Sequence, residues 1–155
     1  MNEAELIASE TPLSAEQRRS LRSLLGQIIP ASPEYGVPGA DDAAIFADVL
    51  TTARPQAIHV THALLRLDTL AEGSFAGLDA ARQQAIAETF RTGQPELAGL
   101  LAAIVVQCYY RDDRVMRSLD MEARPPFPKG FEVETGDWSL LDPVRMRPRF
   151  YRDAP

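Results

Sequence analysis

One cysteine, one lysine, one tryptophan and two histidines are all that this chain of 155 residues offers of several residue types that usually carry chemistry. Cys108 alone makes no intramolecular disulfide, which excludes a disulfide scaffold. Aromatic residues make up 7% of the chain, and the formal charge is -6, so there is no surplus of cations to recognise a nucleic acid. The longest apolar run, Leu97 to Val106, is ten residues. A bilayer needs roughly 20, so the chain is not expected to span a membrane. The glycines match neither a dinucleotide fingerprint nor a phosphate loop, because Gly36, Gly39, Gly73 and Gly77 have the wrong spacing and follow no strand. There is no Gly-x-Ser-x-Gly elbow, internal repeat or low-complexity tract.

What is present suits one soluble globular domain, 45% apolar and 25% charged. A chain of this size buries roughly 70% of the surface its unfolded form exposes, enough for a core without staples. Charge is unevenly placed: residues 1 to 110 hold 7 basic and 13 acidic side chains, while residues 111 to 155 hold 9 of each. The opening MNEAELIASE has three Glu and no cation, the reverse of a basic signal-peptide start, and Arg18-Arg19 reads as the solvated face of a helix. The expected location is therefore cytoplasmic, or periplasmic only if a partner carries the chain.

Hydrophobic periodicity predicts helices. Ser14 with Gln17 forms a capping-box pattern ahead of Leu21, Leu24, Leu25, Ile28 and Ile29, and Pro30 closes that helix. The stretch PASPEYGVPGADD reads as a rigid connection, after which Asp41 and Asp42 begin a second helix with the stripe Ile45, Phe46, Val49, Leu50, Ala53. Pro55 suits the first turn of a third helix, with Val60, Ala63, Leu64, Leu67, Leu70 and Ala71 on one face and a stop at Gly73. A fourth runs from about Leu78 to Phe90. A fifth, Glu96 to about Tyr110, is apolar around most of its circumference and is expected to be surrounded by the others. Asp112 caps a short sixth through Leu119. The expected fold class is all-α: a compact bundle of about five helices with a short sixth (1-121), followed by an extended irregular tail (122-155) that packs on the bundle or on a partner.

That tail is rich in Phe127, Phe131, Trp138, Leu140, Leu141, Val144, Phe150 and Tyr151, side chains that gain by leaving water. Arg145, Arg147, Arg149 and Arg152 form either a solvated end or a grip for a carboxylate-rich surface. Tyr109 and Tyr110 either seal the bundle or contribute to an interface. His59 and His62 share a helical face with Arg66, but a metal site there would need a third ligand from Glu88 or Asp48. Cys108, near a helix C-terminus, has the wrong dipole for an activated thiolate.

Three segments together, LRSLLGQIIPASPEYGVPGADDAAIFADVL (21 to 50), FAGLDAARQQAIAETF (75 to 90) and LAAIVVQCYYRDDRVMRSLDM (101 to 121), resemble the gluconate 2-dehydrogenase subunit 3 family. Its members are small helical subunits of flavin-dependent sugar and polyol dehydrogenases of the glucose-methanol-choline type. The resemblance covers roughly residues 18 to 121. It implies a non-catalytic, chaperone-like subunit, without cofactor of its own, that forms a heterodimer with the large flavoprotein and supports its maturation. Tyr109, Tyr110, Trp138, Arg147, Arg149 and Tyr151 are then the expected partner-binding residues. The alternatives are a His-based metal-binding helical protein and a self-associating one.

Overall fold

The computed structural model describes residues 13 to 123, 130, 132 and 134 to 148. Within them are α1 (Ala15–Ile28), α2 (Ala43–Thr52), α3 (Ala57–Leu70), α4 (Ala80–Gly93), α5 (Pro95–Tyr109), α6 (Asp113–Ser118) and a one-turn α7 (Asp142–Arg145). Single 3-10 turns lie at Arg54–Gln56, Phe75–Gly77 and Trp138–Leu141. The expected all-α class is what the described residues form. The chain divides into two units, Met1–Arg124 and Pro125–Pro155.

Each helix of the first unit begins and ends for a local reason. Ser14 and Gln17 close the capping box on α1, satisfying two backbone donors reciprocally. Asp42, Asp79 and Asp112 cap α2, α4 and α6, each carboxylate accepting a backbone N–H of the first turn. Pro55 enters the 3-10 turn before α3 and not α3 itself, while Pro95 opens α5 at the position where a missing N–H costs nothing. The stop after α3 differs in detail from expectation. Glu72, and not the glycine, takes the left-handed conformation (φ 53°), with Gly73 N–H bonding Asp68 C=O and Glu72 N–H bonding Thr69 C=O.

The core gathers most of each predicted stripe: Leu21, Leu24 and Leu25 of α1, Ile45, Val49 and Leu50 of α2, and Val60, Ala63, Leu64 and Leu67 of α3 are buried, whereas Ile28, Ile29, Phe46 and Ala71 are half-buried and Leu70, at the end of α3, is exposed. Phe90 contributes from α4, Leu101, Ile104, Val105 and Cys108 from α5, and Val115 from α6. Leu13 and Phe75 enter from outside the helices. Phe75 is held by a polar cluster: its N–H donates to Asp68 Oδ1 (3.0 Å), which also accepts from the buried Ser20 hydroxyl (3.0 Å), and its C=O accepts from Gln83 Nε2 (3.2 Å). The Pro-rich connection folds back through a bridge between Ser32 and Val37, and Ala40 N–H donates to Ile29 C=O (2.9 Å).

One expectation fails. α5 is not enclosed: it packs on α2, α4, α3 and α1 but leaves Pro95, Glu96, Gly99, Ala103, Val106, Gln107 and Tyr110 exposed. Between Glu96 and Arg111 that outer side carries glycine, alanine, valine, tyrosine and an uncharged glutamine, so the helix reads as apolar nearly all round although one side is exposed.

Candidate partner-binding surfaces

In the second unit, Asp137 accepts from Ser139 N–H (3.0 Å) and the Ser139 hydroxyl (2.6 Å), which starts the Trp138–Leu141 turn and holds the Asp137 carboxyl below its ordinary pKa. Pro143 then opens α7. The tail expected to be irregular thus carries a folded segment over 138 to 145. It presents Trp138 (64% exposed), Leu140 (74%), Val144 (53%) and Met146 (79%) to solvent, with Arg147 also exposed. Several exposed apolar side chains on one short folded segment are candidates for a contact with another protein. Arg149 and Tyr151 lie outside the described residues, as do Phe127, Phe131, Phe150 and Arg152.

The two tyrosines ending α5 part company. Tyr109 is buried (6% exposed), its hydroxyl donates to Pro38 C=O (3.2 Å), and burial raises its phenol pKa. It ties α5 to the Pro-rich connection, which corrects the expectation that its ring meets a partner. Tyr110, 53% exposed, stacks edge-on against it with centroids 5.4 Å apart and continues the outer stripe of α5.

Beside them lies an arginine–carboxylate network that spacing alone did not foretell. Arg111 reaches both oxygens of Asp48 (2.7 and 2.8 Å) and the Thr52 hydroxyl (2.9 Å). Arg114 joins Asp42 (2.7 Å) to Asp112 (2.9 Å), so one guanidinium links the caps of α2 and α6. The Arg114 side chain holds both carboxyls below their usual range and is itself shifted upward. The only clue in the sequence is the run Tyr-Arg-Asp-Asp-Arg, which places two cations just beyond a helix end.

A depressed folded-state pKa stabilises the fold above the unfolded pKa and loses that contribution as pH falls through the folded value. Stability of the helical unit is therefore expected to decline below about pH 4, where unfolded carboxylates titrate. In Asp42→Asn, which removes one of the two carboxylates, chemical denaturation between pH 2 and 5 should show a shallower decline. An unchanged slope would sever the link between this network and acid stability.

His59 and His62 are both exposed on α3, and Arg66 Nε donates to His62 Nε2 (3.4 Å). The carboxylates considered as a third ligand are engaged elsewhere, Asp48 with Arg111 and Glu88 with Arg91. Among the described residues no group of three or more potential ligands is gathered. Cys108 is buried beside the Thr52 hydroxyl (3.4 Å), and burial pushes its thiol pKa up, away from a nucleophilic thiolate. An open groove of ≈ 750 Å³ between α1, α4 and α5 has Leu24, Phe90 and Leu101 among its lining residues, with Gln27, Gln84, Glu88 and Arg91 as polar ones. No described helix is long and apolar enough to cross a membrane.

Comparison with protein-family models, with curated proteins and with solved structures finds no match.

Proposed function

We propose that this chain is a non-catalytic accessory subunit that binds a flavin-dependent sugar or polyol dehydrogenase of the glucose-methanol-choline type and supports its maturation. The observation that carries the reading is the Trp138–Arg145 segment, a locally capped turn whose apolar side chains face solvent. A side chain as large as Trp138, left 64% exposed on a capped turn, gains most by inserting into a pocket of another protein. The rest of the reading comes from the helical body's resemblance to the family of small subunits. The basic residues Arg145 and Arg147 at the end of the segment suit a partner surface with carboxylates at the rim, where charge sets orientation and encounter rate.

The test is co-expression of the tagged chain with a flavin-dependent dehydrogenase encoded beside it, followed by affinity capture. The dehydrogenase should be retained with its flavin absorbance, and Trp138→Ala should weaken retention about tenfold or more, the scale of a central aromatic anchor. Circular dichroism of that variant should match the parent. If the two proteins part at moderate salt and the dehydrogenase is soluble and flavin-loaded without the subunit, the reading fails.

A further inference from the structure

We infer that Asp137 is the positioning residue of the tail contact: by capping the turn it sets Trp138 and the apolar side chains behind it in their bound arrangement before the dehydrogenase arrives. The inference rests on the accessory-subunit reading and names what prepares that contact. Trp138 follows the cap directly and is the first residue of the turn. Helix ends fray first, so the side chain with the most to contribute stands where order is most easily lost.

The segment is held by bonds that close within residues 137 to 147. Asp137 Oδ1 accepts both the Ser139 backbone N–H (3.0 Å) and the Ser139 hydroxyl (2.6 Å), and Asp137 C=O accepts from Leu140 N–H (3.3 Å). Asp142 N–H donates to Ser139 C=O, which joins the turn to α7. Met146 N–H then donates to Asp142 C=O (3.0 Å), Arg147 N–H to Val144 C=O (3.2 Å), and Arg145 pairs with Asp142 (3.3 Å). Isolated helices shorter than about 12 residues are marginal in water, and the turn and α7 together run only from Trp138 to Arg145. With so few propagating bonds, the cap supplies a large share of what orders the segment.

Order made in advance matters because a segment that must be ordered on binding loses affinity to that ordering, whereas one already in its bound shape does not. Trp138 and Leu140 belong to the turn, and Val144 and Met146 lie in and just after α7. Their spacing as one surface therefore depends on the turn staying wound. Both side-chain cap bonds end on the same oxygen, so an amide oxygen in its place accepts them as well. An acceptor is what the role requires, and a negative charge is not. That separates a cap from a carboxylate that pairs with a cation of the partner.

Trp138 is the only tryptophan of the chain, so its fluorescence reports this segment alone. In the free full-length chain, Asp137→Ala should lower the fluorescence anisotropy of Trp138, and Asp137→Asn should leave it at the parent value. Circular dichroism, dominated by the helical unit, should be unchanged in both. In capture with the co-expressed dehydrogenase, Asp137→Ala should weaken binding about fivefold, the scale of one lost cap, and Asp137→Asn should restore it. Ser139→Ala, which keeps the backbone bond to Asp137, should fall between. Unchanged anisotropy in Asp137→Ala, binding of Asp137→Ala at the parent level while Trp138→Ala is lost, or Asp137→Asn as weak as Asp137→Ala would each overturn the inference alone. A parent that does not retain the dehydrogenase, or a Trp138→Ala chain that binds like the parent, overturns the accessory-subunit reading and the inference with it.

Discussion

Phe75→Ala is expected to lower the unfolding free energy of the helical unit by roughly 3–5 kcal/mol, the range for truncating a fully buried aromatic ring. The ring has no solvent exposure although it belongs to a three-residue 3-10 turn and not to a helix. Its backbone is fixed on both sides, by Asp68 from α3 and Gln83 from α4, and Gln27 of α1 extends toward Gln83 (3.5 Å). A site so anchored cannot collapse around the missing ring, and that places the cost toward the upper end of the range. Urea titration should show a lower midpoint with an unchanged slope. The half-buried Phe46, whose ring stacks under the Arg22 guanidinium at 5.8 Å, is the comparison: its truncation should cost clearly less. Equal losses at the two positions would show that Phe75 is not the keystone of the loop between α3 and α4.

Gly39→Ala is expected to cost about 1–3 kcal/mol through overpacking, although it adds only one methyl group. The added carbon would lie 2.5 Å from Asp41 Oδ1, 2.9 Å from Ala31 N and 3.3 Å from Ile29 C=O. The first contact is with a side chain, but Asp41 is itself wedged against Gly26 and its carbonyl accepts from Arg22 Nε (2.8 Å). The others are backbone and give way only if the connection between α1 and α2 shifts. Because Tyr109 is bonded to Pro38, that shift should reach the end of α5 and appear in the near-ultraviolet dichroism of the tyrosine pair. Gly93→Ala, where a Cβ meets nothing within 4 Å, is the control and should be neutral or slightly stabilising. A Gly39→Ala protein as stable as its parent would mean that the connection is not clamped as described.

Neither the burial of Phe75 nor the crowding of Gly39 was legible in the sequence. Phe75 fell between two periodic stretches and so carried no signal, since periodicity marks residues that share an element and not those that plug a gap between elements. Gly39 sits in a run whose prolines and glycines announce a turn without saying which glycine is crowded. Tyr109 and Tyr110 are adjacent and alike in composition, yet one is bonded inside the unit and the other faces solvent; a rotation of about 100° along a helix separates those fates.

The sequence by itself determined the helices. Stripes recurring at helical spacing, the Ser14–Gln17 box, the caps at Asp42 and Asp112 and the stop at Pro30 are local signals, each acting within about one turn, and they read correctly without any knowledge of neighbours. The tertiary structure alone decided which side of α5 is left open, which carboxylates Arg111 and Arg114 take, and that Asp68 rather than Gly73 governs the path of the chain after α3. These depend on residues far apart in sequence meeting at distances near 3 Å, and hydrogen bonds and close contacts of that kind are set by how helices dock, which no periodicity within one helix encodes.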